Sequence, residues 1–165
     1  MIVQIFFLII AITFVYADFS SAPWVPTKRG DIERFLKLAA LHPGQTCYDL
    51  GAGDGRLLIA AASKGATAKG FEISLFPYAL AQLRIFLSRS SATISYRNFW
   101  HHHFHDADVI YLFLSPKSYQ QLKDKFIHEL KPGTKVIAYV WPIEGWQPTA
   151  VDQVAGKHTL YLYQV

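Results

Sequence analysis

The chain has 165 residues, 52% hydrophobic and 17% charged, which suits a single domain near the short end for a doubly wound sheet and excludes a disordered tether. Its net charge of +4 and pI of about 9.2 are a mild excess suited to anionic membrane surfaces or acidic partners. The basic residues are scattered, with no Lys/Arg run interleaved with aromatics, so nothing local indicates a nucleic-acid partner. One cysteine, Cys47, excludes an intramolecular disulfide and reads as a small buried hydrophobe.

Residues 1–17 carry no charged side chain, and only Gln4 and Thr13 interrupt the apolar run. As a helix they would extend about 26 Å at ~1.5 Å per residue, slightly under the ~30 Å hydrocarbon core of a bilayer, with Phe19 and Trp24 as interfacial anchors. A secretory signal is the rival reading, since Val15-Tyr16-Ala17 offers small residues to a signal peptidase. No Lys or Arg precedes the run, whereas Lys28, Arg29, Arg34 and Lys37 follow it. The positive-inside rule therefore favours an uncleaved membrane anchor over 1–19 with a domain over 20–165 on the cytoplasmic side.

Residues 20–27 form a stiff connector with Pro23 and Pro26, either a spacer or a lid over a pocket. Ile32, Phe35, Leu36 and Ala39 recur at helical spacing until His42-Pro43-Gly44 ends the helix. The apolar run over 46–50 then empties into Gly51-Ala52-Gly53-Asp54-Gly55 and is followed at once by Arg56 and an Ala-rich segment. This is a strand, a tight turn and a helix, the nucleotide-binding corner of an α/β sheet, where unpaired helix N–H groups would meet the ligand. Arg56 occupies the third glycine position of a dinucleotide fingerprint, and no Gly-Lys-Ser/Thr follows, so neither that motif nor a P-loop fits.

A second strand over 67–72 ends in Glu72, placed to accept hydrogen bonds from ribose hydroxyls. Ser74 is set to cap the next helix, with Tyr78, Ala81, Leu83, Phe86 and Leu87 as its buried side. A third strand over 92–96 leads to Arg97-Asn98-Phe99-Trp100. His101-His102-His103-Phe104-His105-Asp106 invites a metal assignment, but consecutive residues point in different directions, and a polar connection with no metal is the expectation. Residues 108–114 are continuously apolar, as for a strand buried on both faces, and deliver Ser115 and Pro116 to the carboxyl edge of the sheet. A helix with Tyr119, Leu122, Phe126, Ile127 and Leu130 on one side follows. Next come a Pro132-Gly133 turn, a strand over 134–140, and a final antiparallel pair over 150–155 and 158–165.

The Asp49-x-Gly51-x-Gly53-x-Gly55 form resembles motif I of the class I, seven-strand S-adenosylmethionine-dependent methyltransferases. The resemblance implies a doubly wound, mostly parallel, seven-stranded Rossmann-like α/β sheet with S-adenosyl-L-methionine as cofactor. It also implies a binding set of Asp49, Gly51, Ala52, Gly53, Asp54, Gly55, Glu72, Ile73, Asn98 and Phe99. On that pattern Asp49 faces the amino-acid end, the glycine turn takes the carboxypropyl chain, Asn98 meets the adenine amino group and Phe99 the ring. A cofactor made in the cytoplasm also favours the cytoplasmic side.

With the apolar N-terminus, Pro23-Trp24-Val25-Pro26-Thr27, Asn98-Phe99-Trp100, Trp141-Pro142 and Gly145-Trp146-Gln147-Pro148, the chain is similar to the membrane-anchored lysine methyltransferases of the ATP-synthase c-subunit and adenine nucleotide translocase. The substrate implied is a lysine of a membrane protein, its amine neutral and in line with the methyl group. Ser115, Pro116, Trp24, Trp141 and Trp146 are candidates for a lysine channel, with Glu144 or Asp54 to orient or deprotonate the amine. A small-molecule or lipid methyltransferase and a non-catalytic cofactor-binding protein of the same fold are the alternatives.

Overall fold

The computed structural model describes residues 24–165 together with Gln4, Leu8 and residues 11–13, which are helical. Most of the expected anchor over 1–19 lies outside the described residues. Among those described, no helix is long and apolar enough to cross a membrane.

Seven strands form one sheet: β1 (Thr46–Leu50), β2 (Thr67–Glu72), β3 (Thr93–Tyr96), β4 (Val109–Leu112), β5 (Lys135–Tyr139), β6 (Ala150–Asp152) and β7 (Leu160–Gln164). Their order is β3-β2-β1-β4-β5-β7-β6. The first five run parallel, and β7 inserts antiparallel between β5 and the edge strand β6. The chain leaves β1 toward β2 on one side and returns to β4 on the other. That reversal opens a crevice above the carboxyl ends of β1 and β4, where ligands bind in such sheets.

Alternate strand residues face opposite layers. Cys47, Ala68, Val109 and Ile137 pack with Phe35 of α1 (Arg29–Ala39), Leu58 of α2 (Arg56–Ala62) and Ala81 and Ile85 of α3 (Leu75–Leu87). Tyr48, Phe71, Ile110 and Val136 pack with Leu122 and Phe126 of α4 (Pro116–Glu129). Between β3 and β4 the second layer is closed by a short 3-10 turn, Phe99–His101, and a loop carrying the fully buried Phe104.

The histidine run builds that loop. His102 Nε2 lies 3.2 Å from the Tyr48 hydroxyl, while the Nδ1 atoms of His103 and His105 meet the carboxylate and the backbone carbonyl of Glu129 at 3.0 and 2.9 Å. Phe104 N–H also donates to the Glu129 carboxylate at 3.1 Å. Among the described residues, no group of three or more His, Cys, Asp or Glu side chains gathers at a metal-holding distance.

Two helix faces differ from expectation. Ile127 of α4 is exposed, and on α3 Leu83, Phe86 and Leu87 face outward, leaving Pro77, Ala81 and Ile85 as the buried side. The cause is a close approach: a Cβ built on Gly55 would stand 3.0 Å from Ala81 Cβ, so α3 can sit this near the turn only through small residues.

A buried ionic chain fastens α1 to the far half of the sheet. Tyr139 OH donates to Asp31 Oδ2 at 2.6 Å, Arg34 bonds Asp31 Oδ1 at 2.9 Å, and Arg34 also reaches both carboxylate oxygens of Asp152 and the His158 carbonyl. Burial pushes the Asp31 carboxyl up, but the hydrogen bonds from Tyr139 and Arg34 outweigh it and hold it below its ordinary value. Tyr139→Phe therefore leaves a buried carboxylate oxygen unpaired, a cost of about 1–3 kcal/mol. Thermal melts at pH 7 should show Tm lower by roughly 2–10 °C; an unchanged Tm would show that the chain contributes nothing net.

Candidate active site

The crevice holds an open cavity of about 710 Å³, its solvent-filled mouth included. Its floor is the turn after β1. Most of the turn's amides are already committed inward. Gly51 N and Ala52 N donate to the Phe71 carbonyl at 3.1 and 2.8 Å, Gly53 N to Glu72 Oε2 at 2.9 Å, and Gly55 N to the Ala52 carbonyl at 2.9 Å. The turn itself therefore presents few free N–H groups. What the turn offers a ligand is a Cβ-free surface and the carboxylates around it.

Asp49 stands at the centre of the crevice, beside Gly70 on β2 and Tyr111 on β4. Burial first, and then the neighbouring charges of Glu72 and Asp54, push its carboxyl up to about 8. The charges that reach it are both acidic, so the site is poised for a cation. Glu72 works differently. Its Oε1 accepts from the Ile73 and Ser74 amides at 2.8 and 2.7 Å, and its Oε2 from Gly53. A carboxylate has about four acceptor sites, which leaves room for one ribose hydroxyl.

Asp54 is locked between Arg56 and Arg84. Burial raises its carboxyl, but the hydrogen bonds and charge of Arg56, with the charge of Arg84, prevail and hold it below the ordinary carboxylate value. A carboxylate held that way is a poor base, which removes Asp54 from the amine-deprotonating role. Its use is to anchor Arg56, whose Nη1 donates to the Thr27 carbonyl at 3.0 Å. Thr27 Oγ1 in turn pairs with the Tyr111 hydroxyl at 2.9 Å, both groups buried. Residues 24–27 are thereby strapped across the cavity as a lid. The Trp24 indole lies so close to Gly53 (φ 53°) that a Cβ there would stand 2.7 Å from Nε1.

Of the residues expected at the site, Asp49, Gly51, Ala52, Gly53, Asp54, Glu72, Ile73, Phe99 and Trp24 line the cavity. Gly55 instead caps α2, and Asn98 spends Oδ1 on the Trp100 amide at 3.0 Å, outside the lining. The proposed lysine channel is mostly dispersed. Ser115 precedes α4 with its hydroxyl 3.1 Å from that of Ser118, Pro116 opens that helix, and Glu144 accepts from Gln120 at 3.1 Å. Trp141 is exposed, and Trp146 packs edge-on against Tyr163. In their place Val25, Thr27, Tyr111, Phe113 and Leu114 line the cavity, with Arg97 beside Glu72 and Phe99. Tyr111 had a signal in sequence, since it lies on the strand adjoining Asp49. Arg97 had none beyond following β3.

The lining fits S-adenosylmethionine. The charges acting on Asp49 are those of Glu72 and Asp54, a setting that an α-ammonium or sulfonium would complement. The Ser74 hydroxyl, buried in the lining, has no hydrogen-bond partner among the described residues. Phe99, Ile73 and Leu114 give apolar walls for a base.

Comparison with known proteins agrees. Residues 49–150 match the family described as ANTKMT methyltransferase domain. A Saccharolobus islandicus protein-lysine N-methyltransferase is 34% identical over 150 residues, covering 87% of this chain and 93% of the relative. Mouse adenine nucleotide translocase lysine N-methyltransferase is 34% identical over 132 residues, covering 78% of this chain and 57% of the relative, so the chain spans just over half of that protein. Among solved structures, a Salinibacter ruber RNA methyltransferase bound to S-adenosyl-L-homocysteine superposes with a TM-score of 0.81 at 29% identity, covering 85% of this chain and 93% of the other. A Thiobacillus denitrificans S-adenosylmethionine-dependent methyltransferase shares the fold, with a TM-score of 0.62 at 16% identity over 70% of this chain and 49% of that one. Cavity, sheet order and sequence thus converge, and the chain belongs to the ANTKMT methyltransferase domain family of S-adenosylmethionine-dependent enzymes.

Proposed function

We infer that the protein methylates the ε-amine of lysine in a protein substrate. The observation that carries this is one cavity in which a cation-seeking acid, Asp49, lies beneath a largely apolar rim. The archaeal and mouse relatives, both named lysine methyltransferases, give the acceptor. When bound, S-adenosylmethionine supplies a methyl group on a sulfonium, already a strong electrophile. The chain's own residues then bind, orient and exclude water. Asp49 holds the amino-acid end, Glu72 the ribose, and Phe99 with Leu114 the base. The strapped lid of residues 24–27 fixes the angle of approach. A lysine amine titrates near 10.4 in water, and entry between Trp24, Val25 and Phe113 disfavours its charged form by desolvation. The apolar residues 1–17 support an enzyme tethered to a membrane with its domain on the cytoplasmic side, and hence a membrane protein as substrate.

The test is incubation with methyl-labelled cofactor and, separately, membrane proteins, soluble proteins, RNA and a lipid extract. Label in protein, with methyl-lysine found by mass spectrometry, is the expected result. Label confined to RNA or lipid would overturn the lysine reading and leave the cofactor assignment standing.

A further inference from the structure

We propose that the outer face of α3 is a docking surface for an anionic bilayer, holding the mouth of the methyl-transfer cavity at the level of the lipid headgroups. Phe76, Leu83, Phe86 and Leu87 are 47%, 53%, 78% and 68% exposed. Their spacing of seven, then three, then one places them on one side of the helix. Bulky apolar residues outside and alanine inside invert the usual arrangement for a surface helix, and such a patch marks a site of interaction.

Three observations choose lipid as the occupant. The first is continuity. Leu75 N–H, at the first residue of α3, donates to Thr13 Oγ1 at 3.2 Å, so one residue of the charge-free N-terminal sequence stands at the start of the stripe. Leu8 and Ile12 of that run are themselves exposed. The second is charge. Residues 73–105 contain no acidic side chain; Arg84 is paired with Asp54, but Arg89 and Arg97 add positive charge, a distribution drawn to anionic headgroups. A second copy docked on the same face would set Arg89 and Arg97 against their own counterparts with no acid from this segment between them. The third is the aromatic flank. Tyr96 is exposed with its ring 5.2 Å from that of Tyr78, the amphipathic type of side chain that favours a bilayer interface.

The stripe also joins the active site. Phe76 meets Trp24 edge-on at 5.9 Å, and Trp24 roofs the glycine turn. A helix lying in the interface would therefore present the cavity to lysines that emerge at a membrane surface. The proposal rests on the lysine reading for that consequence, but docking itself is measured without turnover, so the two fail separately.

The experiment uses the full chain with Phe86→Cys, labelled with an environment-sensitive fluorophore; buried Cys47 leaves the new thiol as the reactive one. Leu87→Cys is a second site, and Lys117→Cys on α4 is the control. Binding of S-adenosylhomocysteine within about twofold of the unsubstituted chain certifies each variant's fold. In vesicles of seven parts phosphatidylcholine to three of phosphatidylserine, brominated acyl chains should quench the labels at 86 and 87 at least threefold more than the label at 117. The difference should shrink when phosphatidylserine is omitted. Equal quenching at all three sites, or a dimer in ultracentrifugation that Phe86→Glu abolishes, would overturn the proposal.

Discussion

Asp49→Asn is expected to weaken binding of S-adenosylhomocysteine at least a hundredfold while raising the Tm of the ligand-free protein. Both effects have one cause. In the folded chain the Asp49 carboxyl titrates at about 8, whereas an unfolded aspartate titrates near 3.9. Between those values the folded state holds a proton that the unfolded state has released, so stability from this group is full below about pH 4 and is lost as pH rises toward about 8. Asparagine carries no such loss. A gain of at least about 1 kcal/mol at pH 8 would raise Tm by roughly 2–4 °C. The same substitution removes the charge that receives the ligand's ammonium group. In the unsubstituted protein, affinity should fall as pH drops from about 8 to 6, because the proton on Asp49 must leave before the cation is seated. Calorimetry across that range, with melts of both proteins, checks each part. Unchanged affinity in Asp49→Asn would remove Asp49 from the cofactor site.

How much of this was legible in the sequence depended on the range of the interaction. Asp49, the glycine spacing and Glu72 could be read because a strand, its turn and the next strand end are set by local rules, and the β-strands fell close to their expected bounds for the same reason. The outward face of α3 could not. Its residues are apolar nearly all round, so periodicity does not choose a side, and the choice is made by the approach of Ala81 to Gly55. The lid strap depends on partners distant in sequence: Arg56 to the Thr27 carbonyl, and Thr27 to Tyr111. Arg56, read as the residue that spoils a dinucleotide motif and opens the helix after the turn, proves to be its clasp. The positions of Trp141 and Trp146 could not be read, because aromatic residues in a turn-rich tail look the same whether they line a pocket or pack behind a strand.

Glu72→Ala should also abolish cofactor binding, but with the opposite effect on stability. Three amides, those of Gly53, Ile73 and Ser74, converge on this one carboxylate. Removing it strands buried donors at about 1–3 kcal/mol each, so Tm should fall by roughly 10 °C or more. Glu72→Gln separates the structural duty from the binding one. Its carbonyl oxygen can keep the Ile73 and Ser74 amides and so the start of α3, but its NH2 then faces the Gly53 N–H, donor against donor. The turn loosens, and affinity should drop more than tenfold while most of the Tm is recovered. Were Glu72 only a ribose ligand, alanine would cost affinity and leave the melt untouched. Were it only a staple, ligand-saturated melts of Glu72→Gln would show the same ligand-induced rise in Tm as the unsubstituted protein. The two acids at one cavity thus have opposite thermodynamic signatures, since Asp49 sits in the fold at a cost that a bound cation relieves, whereas Glu72 holds together the turn on which that cation rests.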